Sequence, residues 1–156
     1  MAAKPATLPK PETDAAHALS RVLADTYMLY LKTHNFHWNV EGANFRNLHL
    51  MFEGQYQALW KSLDELAERI RALGQYAPGT YAKYRLLATV SETEAIPTGE
   101  AMLRELVADN EILVRTIQVG LAAAHASGDE GTAGILAERL LYHQKEIWMM
   151  RSTQGA

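Results

Sequence analysis

Two histidines, His37 and His49, stand twelve positions apart in the stretch FHWNVEGANFRNLH, with Gly42 between them. Three carboxylates follow at Glu53, Asp64 and Glu68. Neutral imidazole and carboxylate are the donors that first-row divalent metals take when no thiolate is offered, and the chain contains no cysteine. The chemistry these residues could do together is metal binding. Taken singly, each has a plainer reading. An isolated histidine on an apolar face is more often a hydrogen-bonded core residue. Asp64 and Glu68 are spaced to pair with Lys61 or Arg71 on a helix surface. Trp38 and Trp60 read by default as packing residues. His17, His34, His125 and His143 show no comparable partner spacing and read as structural.

Helical geometry is what joins the five positions. Phe45, Phe52, Leu59, Leu66 and Leu73 recur every seven residues, and Tyr56, Leu63 and Ile70 complete an apolar stripe. At roughly 100° per residue, His49, Glu53, Asp64 and Glu68 share one arc beside that stripe, not opposite it. Trp60 lies in the same arc, so this flank of the helix is expected to be covered. His49 and Asp64 are nevertheless separated by about 22 Å of helical rise, whereas metal–ligand bonds are about 2 Å long. One straight helix cannot close both on one ion. Two copies packed antiparallel, with a two-fold axis near Tyr56–Gln57, bring His49 of one chain to Asp64 of the other, and symmetry repeats the contact. Asp64 and Glu68 present adjacent carboxylates, and His37 joins His49 by folding back across Gly42. No Glu-x-x-His pair occurs on any expected helix, so the usual ligand set within a single bundle is not available.

The elements that must position these groups are all helical. A first helix is expected over about residues 14–40, with Leu19, Val22, Leu23, Tyr27, Tyr30 and Leu31 at helical spacing. Gly42 ends it and Asn44 can cap the next helix, which Gly74 stops. A connection with Pro78, Gly79 and Pro97 is expected to hold one short helix over residues 81–89. A third long helix follows over about 98–126, and SGDEGT separates it from a fourth over about 132–151. Neither an internal repeat nor a strand pattern is present. Four long helices with one long connection between the second and third give an all-α, ferritin-like four-helix bundle over residues 13–156. The first twelve residues, with Pro5, Pro9 and Pro11, read as a flexible tail.

Composition excludes several classes. At 156 residues with 48% hydrophobic content the chain is one domain with a real core. A net charge of −3 argues against a nucleic-acid footprint spread over the whole surface. The N-terminal sequence lacks the apolar run of a secretory signal, and no stretch approaches the ~20 apolar residues of a membrane span. A cytoplasmic location is expected, nucleoid-associated if DNA is bound.

The stretch HWNVEGANFRNLH, followed by LDELAERI, resembles the ferroxidase signature of the Dps family, the mini-ferritins named as DNA-binding proteins from starved cells. The spacing of His37, His49, Asp64 and Glu68 matches that signature in all four members, and HQKEIWMMRS and the short middle helix extend the likeness over about residues 13–151. The resemblance implies a cage of twelve identical subunits. It implies Fe(II) oxidation at two-fold interfaces, preferentially with hydrogen peroxide, and storage of ferric mineral inside. His37 and His49 would then come from one subunit and Asp64 and Glu68 from its mate, with Glu53 where the family commonly has a further acidic ligand. Trp38 matches a family tryptophan close to the site, placed to intercept oxidising equivalents. Imidazole and carboxylate suit iron, and carboxylates stabilise Fe(III) over Fe(II). The implied role is a ferroxidase that stores iron and protects DNA.

Two departures bear on that reading. The family's iron entry pore is usually lined by acids near the start of the fourth helix; Asp129, Glu130 and Glu138 could serve, but Gly134 stands where an aspartate is common. DNA binding in the family often relies on a lysine-rich tail, and here the tail offers Lys4, Lys10 and the amino terminus. Twelve copies could act by avidity in a salt-sensitive way, against a cage charge of about −36 from −3 per chain. A DNA-compacting protein with a secondary metal site is the main alternative, and a plain four-helix interaction domain the other.

Overall fold

The computed structural model describes residues 15–155. The expected tail, with Lys4 and Lys10, lies outside the described residues. Five helices follow one another: α1 (Ala15–Asn39), α2 (Phe45–Ala72), α3 (Tyr81–Leu87), α4 (Gly99–Ala126) and α5 (Glu130–Gln154). Among the described residues there is no strand. The fold is the all-α bundle of four long helices with a short helix in the middle connection. α1 packs against α2 and α4, α4 packs against α5, and α3 lies against α1.

The helices end where their sequences demand it. Gly42 takes φ 106° and Gly74 φ 84°, left-handed conformations that side chains resist, and each turns the chain out of a helix. Thr98 caps α4 by accepting from the Ala101 amide at 3.3 Å. Two boundaries differ from the sequence reading. Asn44 opens α2 without a side-chain cap; its Oδ1 accepts from the Asn47 side chain instead, at 3.2 Å. Asp129 caps α5 by accepting from the Thr132 amide at 3.0 Å, so Glu130 and Gly131 are helical, not linker.

The core runs the length of the bundle through Leu19, Val22, Phe36, Phe52, Leu66, Ile70, Met102, Leu113, Ile117 and Leu136. Each such side chain contributes on the order of 1.5–3 kcal/mol by leaving water. The α2 stripe is buried at Phe52, Leu59, Leu66 and Ile70, whereas Phe45, in the first turn, stands largely exposed beside the His49 ring. Gly120 lets three helices approach closely, since a Cβ there would meet Leu136 Cδ1 at 2.9 Å.

Buried polar groups tie the two hairpins together. Asp25, fully buried on α1, accepts from the backbone amides of Thr89 (2.6 Å) and Val90 (2.9 Å) and from the Thr116 hydroxyl (2.7 Å). One carboxylate thus fixes the middle connection to both α1 and α4. Lys32 Nζ meets Asp109 Oδ2 at 2.6 Å across α1 and α4. Burial pushes the Asp109 carboxyl up, and Lys32 opposes that rise. His143 Nδ1 donates to Asn110 Oδ1 at 2.7 Å, because the Asn110 amide group already donates to the Leu106 carbonyl. Its Nε2 is buried without a hydrogen-bond partner among the described residues.

Asp25→Ala strands three donors and is expected to lower stability by about 2–4 kcal/mol, with Asp25→Asn costing less because one acceptor oxygen is kept. Urea unfolding followed by circular dichroism reads this, and an unchanged midpoint for Asp25→Ala would remove the carboxylate from its tying role. Burial, with Arg139 second, pushes the His143 imidazole down to about 3. A base with a folded pKa below its unfolded value of about 6.5 contributes stability that is lost as pH falls through that window, because the unfolded chain takes up the proton first. Stability should therefore fall by about 2 kcal/mol between pH 7 and pH 5 from this group alone. His143→Gln should flatten that slope, and an equally steep loss in the variant would assign the acid sensitivity elsewhere.

Candidate metal centre

The α1–α2 corner places the two histidines. His37 occupies the last turn of α1 and His49 the second turn of α2. Residues 40–44 reverse the chain between them, with the Phe45 amide donating back to the Gly42 carbonyl at 3.0 Å. Beneath the corner, Val40, Leu48, Phe36 and Phe52 are buried, so the reversal is held by packing on both arms.

His37 Nδ1 lies 2.8 Å from the His49 carbonyl oxygen, and His49 Nδ1 lies 2.8 Å from the His37 carbonyl oxygen. A carbonyl only accepts, so in each ring Nδ1 must carry the hydrogen and, in the neutral imidazole, Nε2 is left with its lone pair. The two rings stack with centroids 3.9 Å apart and planes 21° from parallel. Reciprocal bonds of this kind set the tautomer and orientation that metal-binding histidines need before any metal arrives. Tyr56 meets the His37 ring edge-on at 5.1 Å. Glu53 follows His49 by one helical turn and is half-buried, with no ion pair or hydrogen bond among the described residues.

Asp64 and Glu68 lie far from this pair. α2 is unbroken from Phe45 to Ala72, so they remain about 22 Å or more of helical rise beyond His49. Both are exposed, and both line a groove of about 790 Å³ between α2 and α5 together with Lys61, Arg69, Glu138 and Arg139. Neither pairs with Lys61 or Arg71; Arg71 stacks on Tyr76 at 4.6 Å and donates to the Gln75 carbonyl. Among the described residues, no three histidine, aspartate or glutamate side chains of one chain gather as a metal-binding group. The structure thus brings together His37 and His49, with Glu53 in the next turn, and leaves Asp64 and Glu68 apart from them.

An aromatic cluster that the sequence reading did not assign adjoins the histidine pair. His34 is sandwiched at 3.9 Å from Tyr56 on one side and 3.9 Å from Trp38 on the other, and its Nδ1 lies 3.2 Å from the Tyr30 hydroxyl. Burial first, and then the neighbouring His37, lower the His34 pKa. The signal was present in the spacing of Tyr30, His34, His37 and Trp38, which places all four on one flank of α1. Trp38 and Trp60 project from the chain, 62% and 61% exposed.

At the start of α5, Asp129 is committed to structure. Its carboxylate takes Arg69 at 2.7 Å as well as the Thr132 amide and hydroxyl. Burial raises its pKa, but those donors outweigh it and hold the carboxyl below the usual range. Of the acids considered for a pore, Glu130 and Glu138 remain exposed.

Comparison with known proteins bears on the fold and the family. A family model described as a ferritin-like domain matches residues 16–155. The DNA protection during starvation protein 2 of Bacillus anthracis is 34% identical over 134 residues, covering 86% of this chain and 92% of the relative. Among solved structures, Dps from Staphylococcus aureus superposes with a TM-score of 0.88 at 31% identity, covering 90% of this chain and 95% of that one. Dps from Vibrio cholerae, described as a member of a broad superfamily of ferritin-like diiron-carboxylate proteins, gives a TM-score of 0.86 at 31% identity over 97% and 96% of the two chains. With its helical order, its clasped histidines and these relatives together, the chain belongs to the ferritin-like proteins and, within them, to the Dps family.

Proposed function

We propose that the protein is a ferroxidase that takes Fe(II) as substrate at sites formed between two-fold-related copies and stores the ferric product inside a dodecameric cage, protecting DNA. Membership in the Dps family supports iron storage and DNA protection in general. The finer reading rests on one observation: a stacked imidazole pair with both Nε2 lone pairs free, one ring of which, His49, shares α2 with two carboxylates that it cannot reach and that make no ion pair among the described residues. In an antiparallel dimer of α2 helices, the His37 and His49 of one copy face the Asp64 and Glu68 of its mate, with Glu53 adding a further oxygen donor.

The chemistry follows from the donor set. Carboxylates favour the ferric over the ferrous ion and so lower the cost of oxidation. Two Fe(II) ions each give one electron to hydrogen peroxide; its O–O bond breaks, two protons are taken up and two waters leave. Consuming ferrous iron and peroxide in one event removes the pair that would otherwise generate hydroxyl radical. The site's histidines need no rearrangement to act, since their Nδ1 hydrogens are already engaged by backbone carbonyls.

Mixing the apoprotein with Fe(II) and peroxide should oxidise iron faster than buffer alone, with about two Fe(II) lost per peroxide. His37→Ala and Asp64→Ala should each slow this by roughly tenfold or more, the scale seen when metal-site groups are removed. The two variants, dissociated and reassembled together, should recover about a quarter of the wild-type sites, since each mixed dimer regenerates one intact site of two. Absence of recovery, with assembly verified by light scattering, would place the site within one chain and end the proposal.

A further inference from the structure

Arg21 on α1 and Arg115 on α4 line one groove of about 230 Å³. Ala18 and Ile112 also line it, as do Thr89 and Thr116. No carboxylate is among its lining residues, and neither guanidinium makes an ion pair or hydrogen bond with any described residue. This is unexpected on sequence grounds, because each arginine has an acid at helical i,i+4 spacing: Asp25 after Arg21, and Glu111 before Arg115. Both acids are engaged elsewhere. Asp25 is fully buried and holds the Thr89 and Val90 amides and the Thr116 hydroxyl. Glu111 takes Arg151 from α5. Two cations are therefore left facing one concavity without a counter-charge among the described residues.

We propose that this groove is a phosphate-binding site, taking either the phosphodiester of a nucleic acid or free inorganic phosphate. Guanidinium is the side chain best shaped to grip phosphate oxygens through paired N–H donors. Thr89 adds a hydroxyl that makes no other hydrogen bond with any described residue, whereas the Thr116 hydroxyl proton is already given to Asp25. The volume accommodates one phosphate group with a few waters. Arg21 precedes His37 by about 24 Å along α1, so the groove is separate from the candidate metal centre and does not depend on it. Upstream of α1 the sequence carries Lys4 and Lys10 together with Glu12 and Asp14, so the two arginines of the groove, not that segment, supply the net positive charge toward a phosphate-bearing polymer. Repetition over the copies of an assembly would let weak single contacts hold such a polymer by avidity.

The test uses the assembled full-length protein with Arg21→Gln, Arg115→Gln and the double variant. Arg46→Gln, at the α1–α2 corner about 25 Å along α1 from Arg21, with Lys145→Gln on α5, serves as a charge-matched control away from the groove. Inorganic phosphate binding is read by calorimetry, and short duplex DNA by fluorescence anisotropy at low and moderate salt. Helix content and iron oxidation should be unchanged in the variants. Each arginine removed should weaken phosphate binding about tenfold, the worth of one hydrogen bond to a charged group. It should also make the salt dependence of DNA binding shallower by about one unit. Loss of both ligands in the double variant assigns the groove to phosphate in either form; loss of inorganic phosphate alone assigns it to the free ion; loss of DNA alone assigns it to the phosphodiester of the polymer. Wild-type protein that binds neither, a double variant that binds both as wild type does, or a control pair with the same losses would each overturn the proposal.

Discussion

A straight helix holds its residues at fixed separations along its axis, and a metal ion accepts ligands only within a couple of ångströms. The chemistry proposed for this protein depends on that mismatch. α2 runs unbroken through 28 residues, carrying an imidazole near its start and two carboxylates near its end on one flank. No proline or break in helical pairing interrupts it. The helix that keeps the proposed site from closing within one chain would also make it reproducible between two, because a rigid rod presents its donors at the same spacing in every copy. A flexible connection between the two halves would have allowed an intrachain site, at the cost of ordering that connection each time iron bound.

Rigidity has to be supplied at the corner as well. His37 sits on α1 and His49 on α2, so their relative position depends on a reversal of five residues. The reciprocal bonds from each ring to the other's carbonyl make that position a consequence of the backbone, not of rotamer choice. Further along, the carboxylate of Asp25 and the Lys32–Asp109 pair hold α1 to α4 and to the middle connection. A buried ion pair contributes little net stability against a hydrophobic substitute, but it strongly disfavours misregistered packing that would strand either charge. In this bundle such ties fix the register of α1, and with it the height of His37.

The helices, their order and the α1–α2 corner were legible in the sequence because each is set by local signals: seven-residue spacing of large apolar side chains, Gly42 and Gly74 at positive φ, prolines in the connection. The five candidate ligands stood out in the sequence because two are histidines flanking a turn and the rest share one arc of one helix; of these the structure brings His37 and His49 together. What local patterns could not show depends on long-range contacts. Asp25 meets residues 64, 65 and 91 positions away, and its role as a tie has no counterpart in the spacing around it. Asp129 read as a free acid of the entry region, but Arg69, sixty positions earlier, claims it together with the Thr132 cap. Phe45 fits the apolar stripe by spacing and yet stands out of the core, since it lies in the first turn of α2 beside His49, at the edge of the bundle. His34 read as structural because no carboxylate shares its spacing; its neighbours turned out to be aromatic rings.

The flank that carries the candidate ligands also carries large apolar side chains in water. Trp38, Phe45, Leu50 and Trp60 are all exposed on the single chain, close to the α1–α2 corner or along α2. Leaving large apolar side chains clustered in water forfeits their transfer free energy and invites non-specific association, so such clusters on stable proteins mark surfaces that something covers. A second α2 laid antiparallel over this flank would cover them with the same act that delivers Asp64 and Glu68 to the imidazoles. Burial would then supply the association energy that the metal ligands, being polar and hydrated, cannot. On this argument affinity between copies and competence for iron are contributed by different residues of one helix face, and the apolar ones hold the ligand geometry in place whether or not iron is present.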